Sequence, residues 1–171
     1  AFIIGEDFIR DDDVCLVLGD NIFYGSGFSG TLQNAIKNIS LDKSTVFGYY
    51  VNDPHRYGVA SFDNDGNVIS ILEKPKKPKS NFAVVGLYFY TNDVIQIAKS
   101  VKPSKRGELE ITDLNNLYFE KNNIHIEHLD DGITWMDMGS FDSYLDASMY
   151  IASLEKRKGY QVYNPEIKKI G

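Results

Sequence analysis

Short apolar runs separated by turn residues recur along the chain and predict β-strands. Such runs are rich in β-branched and aromatic residues, which strands favour. They lie at Val14–Leu18, Thr45–Val51, Gly58–Phe62, Val68–Leu72, Phe82–Tyr90, Ile124–His128 and Ile133–Met136. The step Asp65-Gly66, between the third and fourth runs, predicts a hairpin turn. Because Val14–Leu18 is apolar throughout, we expect it to be a central strand buried on both faces.

Other segments repeat their apolar residues at helical spacing and predict helices. They are the stretch around Phe28–Ile36, Asp93–Lys99, Leu109–Lys121 and Ser140–Lys158. In the longest, the residues expected to face inward are Phe141, Tyr144, Leu145, Ser148, Ile151 and Ala152. Gly159 is the expected end of that helix. Strands and helices in this order predict a mixed α/β sheet covered by helices.

Length, composition and charge indicate one globular domain and argue against nucleic-acid or membrane partners. With 171 residues, of which 43% are apolar and 25% charged, the chain fits one ordinary globular domain over residues 1–171. A net charge of −6 leaves no basic surface of the kind that nucleic acids require. No apolar run approaches the roughly 20 residues of a membrane helix. The single cysteine, Cys15, lies inside an apolar run, so we expect a small buried side chain and a reducing, cytoplasmic compartment.

Two carboxylates stand where predicted strands end. Asp20 follows the first strand and Asp137 follows the last. Open α/β sheets bind their ligands outside the carboxyl ends of strands, and two neighbouring carboxylates repel unless a cation joins them. Their oxygens suit Mg²⁺, which takes its remaining ligands from substrate phosphates and water. The alternative interpretations are a turn or helix-capping residue at Asp20 and a helix N-terminal charge at Asp137.

Three further segments carry polar groups that suit a sugar phosphate. Tyr57 and Gly58 offer a hydroxyl and an unobstructed backbone amide, although the segment also fits a proline turn that enters a strand. Glu73 and Lys74 end another strand, where neighbouring side chains point to opposite faces and need not pair. Arg106 opens a charged approach to a helix. From the residues alone, Glu73 and Lys74 are better explained as simple surface charges, and Arg106 fits a solvated face equally well.

Taken in order, six segments resemble the glucose-1-phosphate thymidylyltransferases, a group within the sugar-nucleotide pyrophosphorylase (nucleotidyltransferase) family. They are Val17–Gly25, Asp53–Val59, Leu72–Pro75, Asn81–Tyr90, Arg106–Asp113 and Trp135–Gly139. The resemblance extends from Ala1 to about Glu166. Each segment alone is weak evidence for the family, and the resemblance is specific because all six occur in the same order.

The resemblance implies a Rossmann-like nucleotidyltransferase fold, with a mixed, mostly parallel sheet flanked by helices. It implies an enzyme that makes dTDP-glucose and pyrophosphate from dTTP and glucose 1-phosphate, in the dTDP-rhamnose pathway of polysaccharide biosynthesis. The implied catalytic residues are Asp20, Lys74 and Asp137, with Asp20 and Asp137 as Mg²⁺ ligands. The implied substrate-binding residues are Tyr57, Gly58, Glu73, Lys74, Val84, Arg106 and Trp135. A cytoplasmic homotetramer is implied for the intact enzyme, with no membrane or nucleic-acid partner.

The sequence departs from the family at its start. The family's Gly-rich loop, of the type G-G-x-G-T-R-L-x-P-x-T, is not found, and Met138 stands where a threonine is more usual. We therefore expect an N-terminally truncated sugar- and metal-binding part with little activity of its own. Another uridylyl- or cytidylyltransferase stays an alternative, because base choice is expected to depend on the missing loop. A non-catalytic sugar-phosphate-binding module is the alternative from a different class.

Overall fold

A computed structural model of the chain describes residues 1–64 and 68–162. Its strands are β1 Val14–Val17, β2 Asn21–Gly25, β3 Ser44–Tyr50, β4 Gly58–Phe62, β5 Val68–Glu73, β6 Phe82–Tyr90, β7 Ile124–His128 and β8 Ile133–Asp137. Its helices are α1 Glu6–Ile9, α2 Phe28–Ser40, α3 Val94–Ser100, α4 Ile111–Glu120 and α5 Phe141–Lys158, with a single 3-10 turn at Pro54–Arg56. Every predicted strand and helix is present, whereas α1 and β2 were not predicted. The 3-10 turn leads into β4, as the proline-turn interpretation of that segment expects. The predicted turn at Asp65-Gly66 lies outside the described residues.

The strands form a mixed sheet in the order β5-β4-β6-β3-β7, and β1 also pairs with β6. This confirms the mixed α/β architecture with flanking helices. The expected predominance of parallel pairs needs correction for the described strands, since β3–β7 is their one parallel pair and the other pairs are antiparallel. Successive strands joined by a short turn, such as β4 and β5, must run antiparallel. β2 and β8 form a separate two-stranded sheet.

The central strand is β6, which is buried on both faces. Val84, Tyr88 and Tyr90 belong to one apolar cluster, whereas Val85 and Leu87 belong to the cluster on the opposite face. This alternation follows from the two-residue period of a strand. β6 therefore separates the two parts of the core.

The expectation that β1 is a central, doubly buried strand is wrong. Within the described residues β1 pairs only with β6, and its side chains alternate between half-buried and exposed. Cys15 is exposed rather than buried, and Val17 is 50% exposed. An apolar run shows that a strand forms, but it does not show whether a second strand covers its other edge.

The longest helix, α5, begins and ends close to the predicted residues but turns a different face inward. It has a capping box at its N-terminus and a left-handed glycine after its last turn. Ala147 is its buried residue, and the Tyr150 hydroxyl lies 3.2 Å from Oγ1 of Thr134 in β8. Of the residues expected to face inward, the exposed ones are Phe141, Tyr144, Leu145, Ser148 and Ala152. Apolar residues on more than one side of the helix made its inner face ambiguous. In the described part of the chain, no helix has the length and apolarity needed to span a membrane.

Candidate active site

A cleft of about 600 Å³ opens where β6 changes partners along one edge. On that edge, Val17 at the end of β1 pairs with Leu87, and Gly58 at the start of β4 pairs with Val84. The gap between the two partners leaves space above the middle of β6. The predicted site residues that line this cleft are Asp20, Tyr57, Gly58, Glu73, Lys74, Val84, Trp135 and Asp137. The structure thus brings together residues from distant parts of the sequence.

Asp20 and Asp137 meet at one end of the β2–β8 sheet. Asn21 is the cross-strand partner of Asp137, and the Met138 amide donates a hydrogen bond of 2.7 Å to the Asp20 carbonyl. Asp20 precedes a strand, and α2 has Gly27 at its N-cap position, so the capping interpretation of Asp20 is wrong. Both aspartates line the cleft.

The electrostatics of the pair agree with this proximity. Burial, and then the negative charge of Asp20, raise the pKa of Asp137 above its ordinary value. The Gly139 amide and the cationic side chains of Arg56 and Lys74 partly offset this rise. Arg56 is the nearer cation, with Nη2 4.0 Å from Asp137 Oδ2. Asp137 therefore lies in a partly desolvated site that favours added positive charge.

The two carboxylates supply the oxygen ligands that Mg²⁺ prefers. Among the described residues, no group of three or more His, Cys, Asp or Glu side chains could hold a metal ion together. A cation held by Asp20 and Asp137 would therefore complete its coordination with oxygens from a substrate or from water. The donor set fits a Mg²⁺ ion shared between protein and phosphate.

Asn21 lines the cleft and is not among the predicted site residues. Its Oδ1 accepts hydrogen bonds from the Gly86 amide at 3.0 Å and from Trp135 Nε1 at 2.7 Å. Its Nδ2 donates to Asp20 Oδ1 at 2.9 Å. A Cβ at position 86 would lie 2.7 Å from the Asn21 side chain. Gly86 interrupts an otherwise bulky strand, a signal of close approach that could have pointed to this contact.

Glu73 and Lys74 form the opposite side of the cleft, and they do pair. Glu73 Oε2 accepts a 2.5 Å hydrogen bond from Thr112 Oγ1, and Lys74 Nζ lies 3.9 Å from Glu73 Oε1. Lys74 follows the last residue of β5 and has φ of 41°, in the left-handed region. Its amide donates to the Tyr57 carbonyl at 3.0 Å. The strand alternation therefore ends at Glu73, and the turn directs Lys74 into the same cleft.

On this side of the cleft, position 58 has little room for any side chain larger than that of glycine. A Cβ at position 58 would lie 3.0 Å from Thr112 Oγ1 and 3.5 Å from Glu73 Oε2. The neighbouring Tyr57 ring packs edge-on against Trp135, with ring centroids 5.1 Å apart. Burial raises the pKa of Tyr57, so its hydroxyl stays protonated at neutral pH. The aromatic rings of Tyr57 and Trp135, together with the accessible backbone at Gly58, form a surface that suits a sugar ring.

Arg106 is the predicted site residue that does not line the cleft. Its guanidinium lies 2.9 Å from Glu108, 3.7 Å from Glu110 and 4.0 Å from Glu73. It therefore stands beside the Glu73 side of the cleft, surrounded by carboxylates. The lining residues that sequence reasoning did not single out are Leu18, Asn21, His55, Arg56, Gly86, Tyr88, Ile111, Thr112, Asn115 and Gly139.

Comparison with known proteins gives consistent matches. The family model described as nucleotidyl transferase matches residues 1–153. A glucose-1-phosphate thymidylyltransferase of Xanthomonas campestris pv. campestris (strain B100) is 51% identical over 166 residues, which are 97% of this chain and 56% of that protein. The Mycobacterium tuberculosis (strain ATCC 25618 / H37Rv) protein of the same name is 48% identical over 97% of this chain and 57% of its own length. The chain thus spans little more than half of these relatives.

Solved structures with the same fold include proteins of two base specificities. A Bacillus anthracis protein described as a glucose-1-phosphate thymidylyltransferase, in complex with sucrose, has a TM-score of 0.72 at 37% identity, over 86% of this chain and 57% of that one. A UDP-glucose pyrophosphorylase complexed with UDP-glucose has a TM-score of 0.75 at 26% identity, over 91% of this chain and 61% of that one.

Proposed function

The chain belongs to the nucleotidyl transferase family, and on that premise we propose that it provides the sugar-phosphate- and metal-binding part of a glucose-1-phosphate thymidylyltransferase. The intact enzyme would transfer a thymidylyl group from dTTP to glucose 1-phosphate and release pyrophosphate. One observation carries the proposal: a single cleft joins the Asp20–Asp137 pair to the Glu73–Lys74 pair. The first pair suits nucleotide phosphates with a cation, and the second suits a sugar that bears a phosphate.

The reaction needs positioning and charge neutralisation rather than a protein nucleophile. A phosphate oxygen of glucose 1-phosphate attacks the α-phosphorus of dTTP in line. The new P–O bond forms as the bond to the pyrophosphate leaving group breaks, and pyrophosphate keeps the electron pair. Asp20 and Asp137 would hold Mg²⁺, which supplies neutralising charge to the phosphates when bound.

At the sugar end, the proposal gives each group a task that the described contacts support. Glu73 is held through Oε2 by Thr112, and its Oε1, which lies 3.9 Å from Lys74 Nζ and 4.0 Å from Arg106 Nη1, would accept hydrogen bonds from sugar hydroxyls. Gly58 lets the ring approach the backbone, and Tyr57, Val84 and Trp135 form the walls. The Lys74 ammonium neutralises the sugar phosphate. Arg106 adds positive charge beside the cleft, and it contacts the phosphate only if its guanidinium leaves Glu108 and Glu110.

The alternatives fit these observations less well. The 51% identity to a thymidylyltransferase exceeds the 26% identity to a UDP-glucose pyrophosphorylase, which favours thymidylyl over uridylyl transfer. A non-catalytic sugar-phosphate module has no use for two aspartates that line one cleft at the end of the β2–β8 sheet. For the intact enzyme, the family resemblance supports a homotetramer in the cytoplasm that acts in dTDP-rhamnose synthesis.

The test is calorimetric titration of glucose 1-phosphate into the chain with Mg²⁺ present. We expect saturable binding that Glu73→Gln weakens at least tenfold, because the variant replaces a carboxylate by an amide at the sugar hydroxyls. Glu120→Gln, an exposed change at the end of α4, is the matched control and should bind normally. Equal affinity in the wild-type chain and Glu73→Gln, or no saturable binding at millimolar sugar phosphate, would refute the proposed sugar-phosphate site.

A further inference from the structure

One side chain, Asn21, contacts both the proposed metal-binding end of the cleft and its aromatic wall. Its amide bonds to Asp20, Gly86 and Trp135. We infer that Asn21 is a positioning residue that fixes the Asp20 carboxylate for cation binding and holds Trp135 in register with it. The inference rests on the proposed function, because Asp20 acts as a cation ligand only there.

The orientation of the amide follows from its donors. The Gly86 amide and the Trp135 indole N–H can only donate, so both must meet the carbonyl oxygen Oδ1 of Asn21. The amide NH₂ group then points the other way and donates to Asp20 Oδ1. This bond occupies one carboxylate oxygen and leaves Oδ2 of Asp20 for a cation.

The backbone around Gly86 explains why an asparagine fits here. On this edge of β6, the β1 pairing ends at Leu87 and the β4 pairing ends at Val84, so Gly86 lies between the two pairings. The Gly86 carbonyl accepts from the Leu18 amide at 2.9 Å, and its N–H finds an acceptor in the Asn21 side chain. Asn21 thus supplies the hydrogen bond that a paired strand would otherwise give. The absence of a Cβ at position 86 allows the amide to lie this close.

The pairing of β2 with β8 also connects Asn21 to the second carboxylate, Asp137. Asn21 is the cross-strand partner of Asp137, and the residue it binds in β8 is Trp135, two positions earlier. The Asn21 side chain therefore links Asp20, just before β2, to Trp135 in β8, the strand that ends at Asp137. Replacing Asn21 should therefore remove the hydrogen bond that orients the Asp20 carboxylate and, at the same time, the one that holds the Trp135 indole.

The experiment is calorimetric titration of Mn²⁺, used as a probe for Mg²⁺, into the full 171-residue chain and its variants. We expect Asp20→Asn to abolish binding and Asn21→Leu to weaken it at least tenfold. Asn34→Leu is the matched control, because Asn34 is exposed on α2 and bonds only weakly to Glu127 at 3.3 Å; its affinity should stay within about twofold. The single tryptophan gives one indole ¹H–¹⁵N signal, which should shift in Asn21→Leu and not in Asn34→Leu.

If Asn21→Leu fails to fold, Gly86→Ala provides the second variant. Its Cβ displaces the amide while Asn21 stays in the sequence, and the same loss of Mn²⁺ affinity is expected. Wild-type affinity in folded Asn21→Leu, with binding still abolished by Asp20→Asn, would overturn the inference alone. No Mn²⁺ binding by the wild-type chain, or normal binding by Asp20→Asn, would instead refute the proposed metal centre, and the inference would fail with it.

Discussion

Comparing Lys74→Gly with Lys74→Ala distinguishes the effect of the Lys74 backbone on stability from the effect of its ammonium group on binding. Lys74 adopts a left-handed backbone with φ of 41°, which costs a non-glycine residue about 1–2 kcal/mol. Glycine relieves this strain but loses about 0.5–1 kcal/mol through its more flexible unfolded state. Lys74→Ala keeps the strain and removes the same ammonium group. We therefore expect Lys74→Gly to be about 1 kcal/mol more stable than Lys74→Ala.

The ammonium group sets the size of the binding effect. The Lys74 side chain is 50% exposed, so its attraction to a phosphate is screened by solvent. Unit charges about 4 Å apart attract by roughly 1 kcal/mol in bulk water and about 4 kcal/mol at an effective dielectric of 20. Desolvation and the ordering of the side chain reduce this to about 1–2 kcal/mol. That range corresponds to roughly 5- to 30-fold weaker binding of glucose 1-phosphate in both variants.

Two measurements test this reasoning on the same samples. Unfolding by urea gives the free energy of unfolding of the wild type, Lys74→Gly and Lys74→Ala. In thermal unfolding of the same samples, a difference of about 1 kcal/mol corresponds to about 2–4 °C in melting temperature. Calorimetric titration of glucose 1-phosphate gives their affinities. Equal stability of the two variants would refute the strain argument. Wild-type affinity in either variant would refute the assignment of Lys74 to the sugar phosphate.

Three further changes test other contacts of the chain. Gly58→Ala places a Cβ 3.0 Å from Thr112 Oγ1, so we expect a loss of about 1–3 kcal/mol in urea unfolding together with weaker sugar-phosphate binding; a neutral result would contradict the described packing. Burial, and then the Asp20 charge, raise the pKa of Asp137, so the folded chain binds this proton where the unfolded chain has lost it. The unfolding free energy should therefore fall as the pH rises above the ordinary aspartate range, and Asp137→Asn should remove that fall and raise the metal-free melting temperature at pH 7; an unchanged pH dependence would refute this assignment. Cys15 is exposed, although partial burial raises the pKa of its thiol, so a thiol reagent should label the native chain slowly at pH 7 and faster at pH 9; labelling only after unfolding would support the buried interpretation.

The sequence predicts which segments form strands and helices, because that information is local. Apolar runs at Phe82–Tyr90 and Ile124–His128 become strands with the same bounds. The apolar run of β1 also becomes a strand, but its edge position depends on which other strands lie beside it. Local pattern likewise leaves open the inner face of α5. These errors all concern packing partners rather than secondary structure.

The candidate site shows the same division between local and long-range information. Asp20 and Asp137 could be named because each stands at the end of an apolar run and matches a family motif. β2 was not predicted, since Asn21–Gly25 is short and has no clear alternation. Its existence depends on pairing with β8, and the bond between Asn21 and Trp135 joins residues 114 positions apart. No local signal contains that contact, although Gly86 marks where it occurs.

The cleft and the discontinuity of the sheet are one feature of the fold. β6 is longer than β1 or β4, which pair with the same edge of it, so among the described strands none pairs with β6 on that edge around Gly86. Backbone groups in such a stretch need partners, and the chain leaving β1 supplies them through Leu18 and Asn21. The same turn carries Asp20 to the cleft, while β4 brings Gly58 from the other direction. A substitution that closes this gap, such as a bulky residue at position 86, should therefore damage the hydrogen bonding of the fold and the proposed metal centre together.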